Sequence, residues 1–585
     1  MIRTIFKIFM TLYLFTFLVA EEVILPTHEI HFTGQKHFDE SDLQDATGVK
    51  TKSFFQFWKE DRPTIEDKLL PTLEPALKSF YNSEGYYDVK FTIKETNTTV
   101  SVIISENEPV IIKDINISSD YDISSLVTLR KNEIFKAETF ISIKADIVKQ
   151  LLNDGYCSYE FDTKAYVDLD KHTVDVIYNL QKGGLCTFGK LTISGLKTVD
   201  EDIIKSRVRA KEGEVYSPKL VQDTSNNLYA LSAFDSIVVN VDRKLYNVIP
   251  VDINFTEMEK EYRIEAGVGY DTFVGPRIRS QITKNNFMGN AQKLSLTVSY
   301  SDKEQIAKLA FFKPLLLHIL DYPIDFGAEI GYSNLEYDGF TEEMSYGKAY
   351  LEYRDDKLRL RAGMAFEDII ISLRDGYDST VFEQAVNEGT FNLLYPYIDA
   401  VYDARDDKLN PKYGYYLSAY AEFGLAKDDE TSEYYKALFE GRIIHTLSNI
   451  TLSAVGKLGL IDGTDNVIPE SKYFFAGGLY SNRAYGIREL GVIISPTEDS
   501  INGASTWLNL SLEANFPIKG DIYGAVFTDN TMLTEKSYDF SGEVISSAGL
   551  GVRYMTPIGP FKLDVGVNVN DPTIHGINFQ IGQSF

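Results

Sequence analysis

The sequence predicts a multidomain chain: three small α+β units of strand–helix–helix–strand–strand order, then a transmembrane antiparallel β-barrel of about 16 strands. Three observations carry this. Between residues 24 and 258 a pattern of strands and amphipathic helices recurs at a spacing of roughly 75–80 residues, which suits small domains rather than solenoid units. From Tyr262 onward helical periodicity stops, and segments of about 9–11 residues alternate apolar with polar, the length a tilted membrane strand needs. Finally, the last ten residues, Gly576 to Phe585, place Ile577, Phe579, Ile581 and Phe585 on one face, with Gln583 breaking the series, and Asn578, Gln580, Gly582 and Ser584 on the other. An edge strand of a soluble sandwich alternates in the same way. An aromatic ending on such a strand is the one expected of a barrel-closing strand facing lipid.

Composition agrees. The 585 residues are 13% aromatic, with 37 Tyr and 36 Phe against 2 Trp and 18 Pro, as many strands with aromatic girdles would be. The net charge of −27 leaves no basic stripe to displace counterions from nucleic acid, so no nucleic-acid partner is expected.

Residues 1–20 read as a secretory signal. Arg3 and Lys7 open it, Ile8 to Val19 is apolar, and Ala20 precedes Glu21-Glu22 as a cleavage position. The apolar run is too short to span a bilayer, which needs about 20 residues. Beyond residue 20 no run of 18 apolar residues occurs, so if this protein sits in a membrane it is expected to do so through strands.

In the first unit Glu29–Gly34 is a strand and turn, Leu77–Tyr86 ends a helix, and Asp88–Ile93 and Val100–Ser105 are strands. In the second, Ile112–Ile117 is the first strand, Leu151–Tyr156 ends a helix, and Glu160–Val167 with Val174–Leu180 form a hairpin. In the third, Gly189–Gly195 opens, Tyr216-Ser-Pro starts the second helix, and Leu231–Asp235 leads into the last strands. The Gly-Tyr pairs 85–86 and 155–156 fit a left-handed glycine ending a helix, with the aromatic packing back on the core. The only cysteines, Cys157 and Cys186, lie in the second unit. A turn centred on Lys171-His172 pairs Val167 with Val176 and sets the two thiols directly opposite, so a disulfide is expected in an oxidising compartment. Neither CxxC spacing nor a histidine cluster supports a redox or metal pair.

In the barrel half, Leu508, Leu510, Leu512, Ala514 and Phe516 fall on one face, with Asn509, Ser511, Glu513 and Asn515 on the other. Phe561, Leu563, Val565, Val567 and Val569 face out, leaving Lys562, Asp564 and Asn568 inside; Ala548, Leu550 and Val552 face out, leaving Gly549, Gly551 and Arg553 inside. Short turns alternate with long loops, which favours a membrane barrel over a soluble sandwich array.

Residues 24–258 resemble three POTRA domains, periplasmic βααββ modules. The barrel half resembles the BamA/TamA superfamily. Phe474 to Gly486, with Arg483-Ala484-Tyr485-Gly486 at its core, is similar to that family's conserved loop, where Ala484 stands in place of a Gly. Asp403–Gly414, Ala525–Asp529 (with Asn530 where the family often has Gly) and Gly549–Pro560 followed by Leu563-Asp564 are similar to further family motifs. The resemblance implies domains over residues 21–107, 108–184, 185–258 and 259–585. Three POTRA-like units suit the TamA branch better than BamA, with five, or two-partner secretion transporters, with two. It further implies the bacterial outer membrane with POTRA domains in the periplasm, unfolded outer-membrane client proteins, and a TamB-like inner-membrane-anchored partner.

Arg483 in a loop folded into a barrel lumen needs anionic partners; Glu513 faces inward by alternation and Asp529 lies near a neighbouring strand end, so both are expected to pin the loop. The first strand, Arg263–Tyr270, carries Gly267 and Gly269, which weaken it. Its pairing with the last strand, through Phe579, Ile581 and Phe585, would form a loosely zipped gate to which a client strand could add. The expected function is an outer-membrane translocation and assembly factor for autotransporter-type clients. The alternatives are a dedicated secretion pore of two-partner type, or the phospholipid-transport partner of a TamB-like bridge; the POTRA array disfavours a passive porin. No enzyme and no cofactor are expected: there is no G-x-S-x-G elbow and no phosphate-cradling glycine loop before a helix, and His28 and His31, three apart on a strand, point to opposite faces.

Overall fold

The computed structural model describes residues 26–50, 62–242, 247–271, 275–337, 339–374, 386–408, 410–426, 432–464, 467–495, 500–556 and 561–580. The expected signal segment, residues 1–20, and Ile581 and Phe585 lie outside the described residues. The chain forms two compact units: residues 1–190, 210–220 and 241–251, and residues 191–209, 221–240 and 252–585.

In the first unit, strand Thr27–Thr33 lies parallel to Thr99–Ser105 and antiparallel to the short Thr64–Glu66, and Lys90–Glu95 completes a four-stranded sheet. Helices Glu40–Thr47 and Leu70–Ser83 cover it. Asp39 and Asp42 form a capping box at the start of the first helix. The second ends at Gly85, whose φ of 96° only glycine adopts without strain. Tyr86 then folds back into a core of Ile30, Phe32, Leu43, Leu73, Leu77, Tyr81, Val100 and Val102. His28 is buried against Asp67, at 2.9 Å, whereas His31 is half exposed, so the two do not converge.

The buried Glu106, at the end of the last strand, receives the backbone N–H groups of Lys36 (3.0 Å) and His37 (3.4 Å), the His37 ring nitrogen (2.7 Å) and the Tyr81 hydroxyl (3.1 Å). The same device recurs in the second unit. Glu257 receives the N–H groups of Lys197 (2.6 Å) and Thr198 (2.8 Å) and the Thr198 hydroxyl (2.7 Å). Both carboxylates hold a Gly-x-Lys-x-x-Asp-Glu turn, Gly34–Glu40 and Gly195–Glu201, that opens a helix.

The second module departs from expectation. Its sheet runs Ile111–Ser119, Thr173–Gln181, Glu160–Asp168, and it carries one α-helix, Ala137–Asn153, where two were expected. Residues 120–136 form turns. The reason lies in the local sequence: the loop after Ser119 lacks the helix-opening turn, and the strand ends in Gln181-Lys182 with no carboxylate to hold one. The hairpin register also differs. Val167 pairs with Val174, not Val176, and Tyr156 bridges Leu185, so Cys157 and Cys186 are diagonal neighbours rather than directly opposed. They are nonetheless joined in a disulfide with Cα atoms 5.8 Å apart, closing a separation of 29 residues. Loop closure of this size stabilises by about 3–4 kcal/mol.

Each helix-ending turn also receives the next module. Val110 N–H donates to the Gly85 carbonyl (2.8 Å) and Cys186 N–H to that of Gly155 (2.9 Å). In the second unit Met258 N–H donates to Ala233 (2.9 Å), leading into the first barrel strand. A third small sheet, ordered Thr187–Ser194, Val248–Glu257, Phe234–Val241, belongs to the third module, with helices Glu201–Arg207 and Pro218–Tyr229.

The barrel is a 16-stranded sheet in sequence order, from Tyr262–Asp271 to His575–Gln580, with every neighbouring pair antiparallel. Outward positions such as Ile264, Val268, Leu510, Leu550, Leu563 and Ile577 are exposed and apolar; inward ones such as Asn509, Asp529, Thr531, Arg553 and Asp564 are polar and buried. This is the inverse of a soluble sheet and suits lipid outside. The middle strands exceed the expected length: Glu304–Ile319 and Leu358–Leu373 each have 16 residues. The third module meets the barrel turns on one side. Asp200 and Asn290 exchange two hydrogen bonds of 2.8 Å, and Arg207 and Arg209 pair with Asp325 and Asp355.

Burial acts to raise the Glu106 pKa, but the Lys36 N–H, the His37 ring and N–H and the Tyr81 hydroxyl hold it below the usual carboxylate range. A carboxylate lowered on folding stabilises above its unfolded pKa, roughly 4.3, and that contribution disappears as pH falls through the folded value. Glu106→Gln should therefore cost the first module about 2 kcal/mol at neutral pH. The difference from the unsubstituted protein should shrink steadily in acid, as read from amide hydrogen exchange of residues 26–106 in the full chain.

Candidate functional site

Forty-two residues separate barrel strand Ile450–Gly463 from strand Thr506–Lys519, and the described ones among them fold back along the inner wall. The loop doubles on itself: Phe474 bridges Ala504, and Ala476 bridges Leu490. At its tip, Gly477 and Gly478 take φ of 107° and 80°, and a Cβ on Gly477 would lie 2.0 Å from the Gly486 carbonyl oxygen, so only glycine turns the chain here. The tight turn thus resides at 477–478. Ala484 is buried and needs no left-handed backbone, which is why alanine fits where glycine was expected.

The turn presents Arg483 to the wall. Its Nε and Nη2 both contact Asp529, each at 2.9 Å, and its own backbone N–H donates to the same carboxylate at 3.1 Å. Nη1 reaches Glu513 at 2.5 Å and Asp564 at 3.4 Å. The guanidinium carbon lies 3.3 Å from the Phe527 ring centroid. Asp529 sits in mid-strand, opposite Ser511, rather than at a strand end. Arg553 joins the same cluster through Asp564 and Glu513. Three carboxylates thus face two guanidinium groups in a buried site. Such a site is stable only when every charge is paired and hydrogen-bonded.

Sequence reasoning placed Arg553 and Asp564 on the inner face but gave them no partners, and it missed the cradle beneath the tip. Gly566 and Gly576 pair across the last two strands. A Cβ on either would fall 2.7 and 2.5 Å from the Arg483 carbonyl oxygen, so their lack of side chains admits the loop. Asn578, on the last strand, donates to that carbonyl at 2.9 Å, and Asn568 donates to the Tyr485 hydroxyl at 2.7 Å. Gly486 N–H donates to Glu489, closing the turn. Alternation placed Asn578 on the polar face of its strand; the loop contact needed the tertiary structure.

The edges of the sheet lie side by side. Strand Tyr262–Asp271 pairs along its whole length with Gly275–Lys284, and His575–Gln580 pairs with Phe561–Asn568. The two edge strands approach one another, yet among the described residues no ladder joins them. Gly269 faces open space, so its lack of a side chain relieves no crowding. Phe579 is half-buried on the outward face. The loop tip therefore rests against one of the two strands that form the seam.

Comparison with known families decides what this arrangement belongs to. The Omp85 superfamily domain matches residues 286–585, and the POTRA repeat, described as a surface antigen variable number repeat, matches 27–108, 108–183 and 186–258. The chain belongs to the Omp85 superfamily. Among curated relatives of this Omp85 protein, the outer membrane protein assembly factor BamA of Nitratidesulfovibrio vulgaris is 21% identical over 95% of this chain and 73% of its own. BamA of Neisseria meningitidis is 20% identical over 95% of this chain and 78% of its own. Among solved structures, BamA from Haemophilus ducreyi lacking POTRA domains 1–3 has the same fold, with a TM-score of 0.54 at 16% identity over 81% of this chain and all of that one. The protein is an outer-membrane barrel with its POTRA modules in the periplasm.

Replacing Arg483 by Ala leaves Asp529 buried without its cation, while Arg553 still reaches Glu513 and Asp564, a loss of about 3–5 kcal/mol. The expected outcome is a barrel that unfolds at lower temperature by heat-modifiability on gels and a loop that becomes open to protease. Unchanged melting and unchanged protection would show the pairing to be dispensable.

Proposed function

We propose that this Omp85 protein is an outer-membrane assembly factor that inserts or translocates client proteins through the seam between its first and last barrel strands. The observation that carries the reading is the seam itself. Two edge strands adjoin without a ladder among the described residues, and every backbone group left unpaired at membrane depth must find a partner. An incoming client strand supplies one by edge addition. The names of the relatives support the same reading, since both are outer membrane protein assembly factors.

Under this reading the Arg483 cluster is structural. It pins the loop against Asn578 on the last strand, so the seam edge is held from inside the barrel while its outer face meets lipid. The protein works without catalysis or a cofactor: the free energy comes from pairing and burying client strands. Three POTRA modules support a TamA-like assignment, with autotransporter-type clients and a TamB-like partner spanning from the inner membrane. A secretion pore acting through the lumen is the weaker reading, because the loop with its buried core of Phe474, Ala476 and Leu490 occupies that path.

Cysteine pairs placed one on Tyr262–Asp271 and one on His575–Gln580 test it; the native Cys157–Cys186 pair is already joined. Oxidised variants should fold and reach the membrane but lose assembly of a reporter β-barrel client in liposomes, with activity returning on reduction. Full activity with the seam cross-linked would refute lateral action.

A further inference from the structure

The lumen loop is held at a second place, far along the sheet from Arg483. Its base contains a short 3-10 turn, Glu470–Lys472. The Lys472 ammonium is buried and lies 2.5 Å from Glu367, on strand Leu358–Leu373, and 3.4 Å from Glu422, on strand Tyr413–Ala426. It also sits 4.5 Å from the centroid of the Tyr395 ring. Each carboxylate has further support. Glu367 receives the Tyr395 hydroxyl and the Lys348 ammonium (3.3 Å), and Glu422 receives the hydroxyls of Tyr434 (2.8 Å) and Tyr420. The Lys472 carbonyl accepts from the Lys436 ammonium at 2.6 Å. A lysine is rarely taken out of water, and here two carboxylates, an aromatic face and a satisfied backbone compensate it.

These partners stand on the seventh to tenth strands of the barrel, whereas those of Arg483 stand on the twelfth, thirteenth and fifteenth. The loop is thus tied at its base to one part of the wall and at its tip to another. Between the ties, Phe474, Ala476 and Leu490 pack on Ile461 and Trp507. A loop held only at the tip could swing its base away from the wall; a loop held at both ends stays across the lumen.

We infer that Lys472, with Glu367 and Glu422, is a latch that keeps the loop across the barrel and the lumen closed to ions, separately from the Arg483 cluster and whatever the clients are. Lys472 is a positioning residue: it acts by where it holds the loop.

Conductance of the full-length protein in planar lipid bilayers tests this. Lys472→Met should increase the frequency of open events on the order of tenfold or more, because it removes the cation paired with Glu422 and leaves Glu367 with Lys348 alone, while heat-modifiability shows the barrel still folded. The triple variant Lys472→Met, Glu367→Gln, Glu422→Gln removes the cation together with the two carboxylates it pairs, so neither buried carboxylate is left charged; it too should conduct more than the unsubstituted protein. A folded triple variant as closed as the unsubstituted protein overturns the latch. So does a triple variant that cannot fold, because the cluster would then be part of what builds the wall rather than a tie upon it.

Discussion

The buried guanidinium of Arg483 is the constraint around which the barrel half is arranged. A charge removed from water in a low-dielectric wall demands counter-charges at fixed distances. Asp529, Glu513 and Asp564 supply them from three separate strands, and Arg553 offsets the excess. Meeting those distances brings the loop backbone so close to the wall that Gly566 and Gly576 must lack side chains. The tight bend that delivers Arg483 in turn requires Gly477 and Gly478. One ion cluster therefore explains why glycines and carboxylates distant in sequence occur where they do. It also explains why the last strand, through Asn578, is tied to the loop rather than only to its neighbour.

The periplasmic modules solve a smaller version of the same problem. Their sheets end in a carboxylate, Glu106 or Glu257, that gathers the N–H groups of the turn opening the first helix. The middle module lacks that carboxylate and the helix with it, and carries the disulfide. Successive modules also share a backbone hydrogen bond, from Val110 or Cys186 at the start of the next module to the carbonyl of the glycine that ends the helix before it, Gly85 or Gly155.

Much of the site was legible because its parts obey local rules. Alternation put Glu513, Arg553 and Asp564 inside and Leu510, Leu550 and Leu563 outside, since the side-chain period of a strand is two whatever surrounds it. The glycine at 85 and the aromatic after it announced a helix end for the same local reason. The hairpin register of the second module was not legible: a turn shifted slightly along the chain changes every partner, and only packing chooses between such turns. Lys472 was invisible for a different reason. It lies in a short turn with no motif, and its partners are about a hundred residues upstream at Glu367 and fifty at Glu422.

The sequence by itself determined the three-module array, the number and alternation of barrel strands, and the presence of an arginine-bearing loop with carboxylates facing it. The modules and strands follow from periodicity and turn residues, properties of neighbouring residues; the loop followed from the resemblance of Phe474–Gly486 to the family's conserved loop, with the cost of burying charge naming its partners. The tertiary structure alone decided that Asp564 and Arg553 join the arginine's cluster, that paired glycines on the last two strands cradle it, that a lysine ties the other end of the loop, and that the first and last strands adjoin without a ladder among the described residues. Those are relations between segments far apart in the chain, and they exist only once the sheet has curled far enough to bring its edges together.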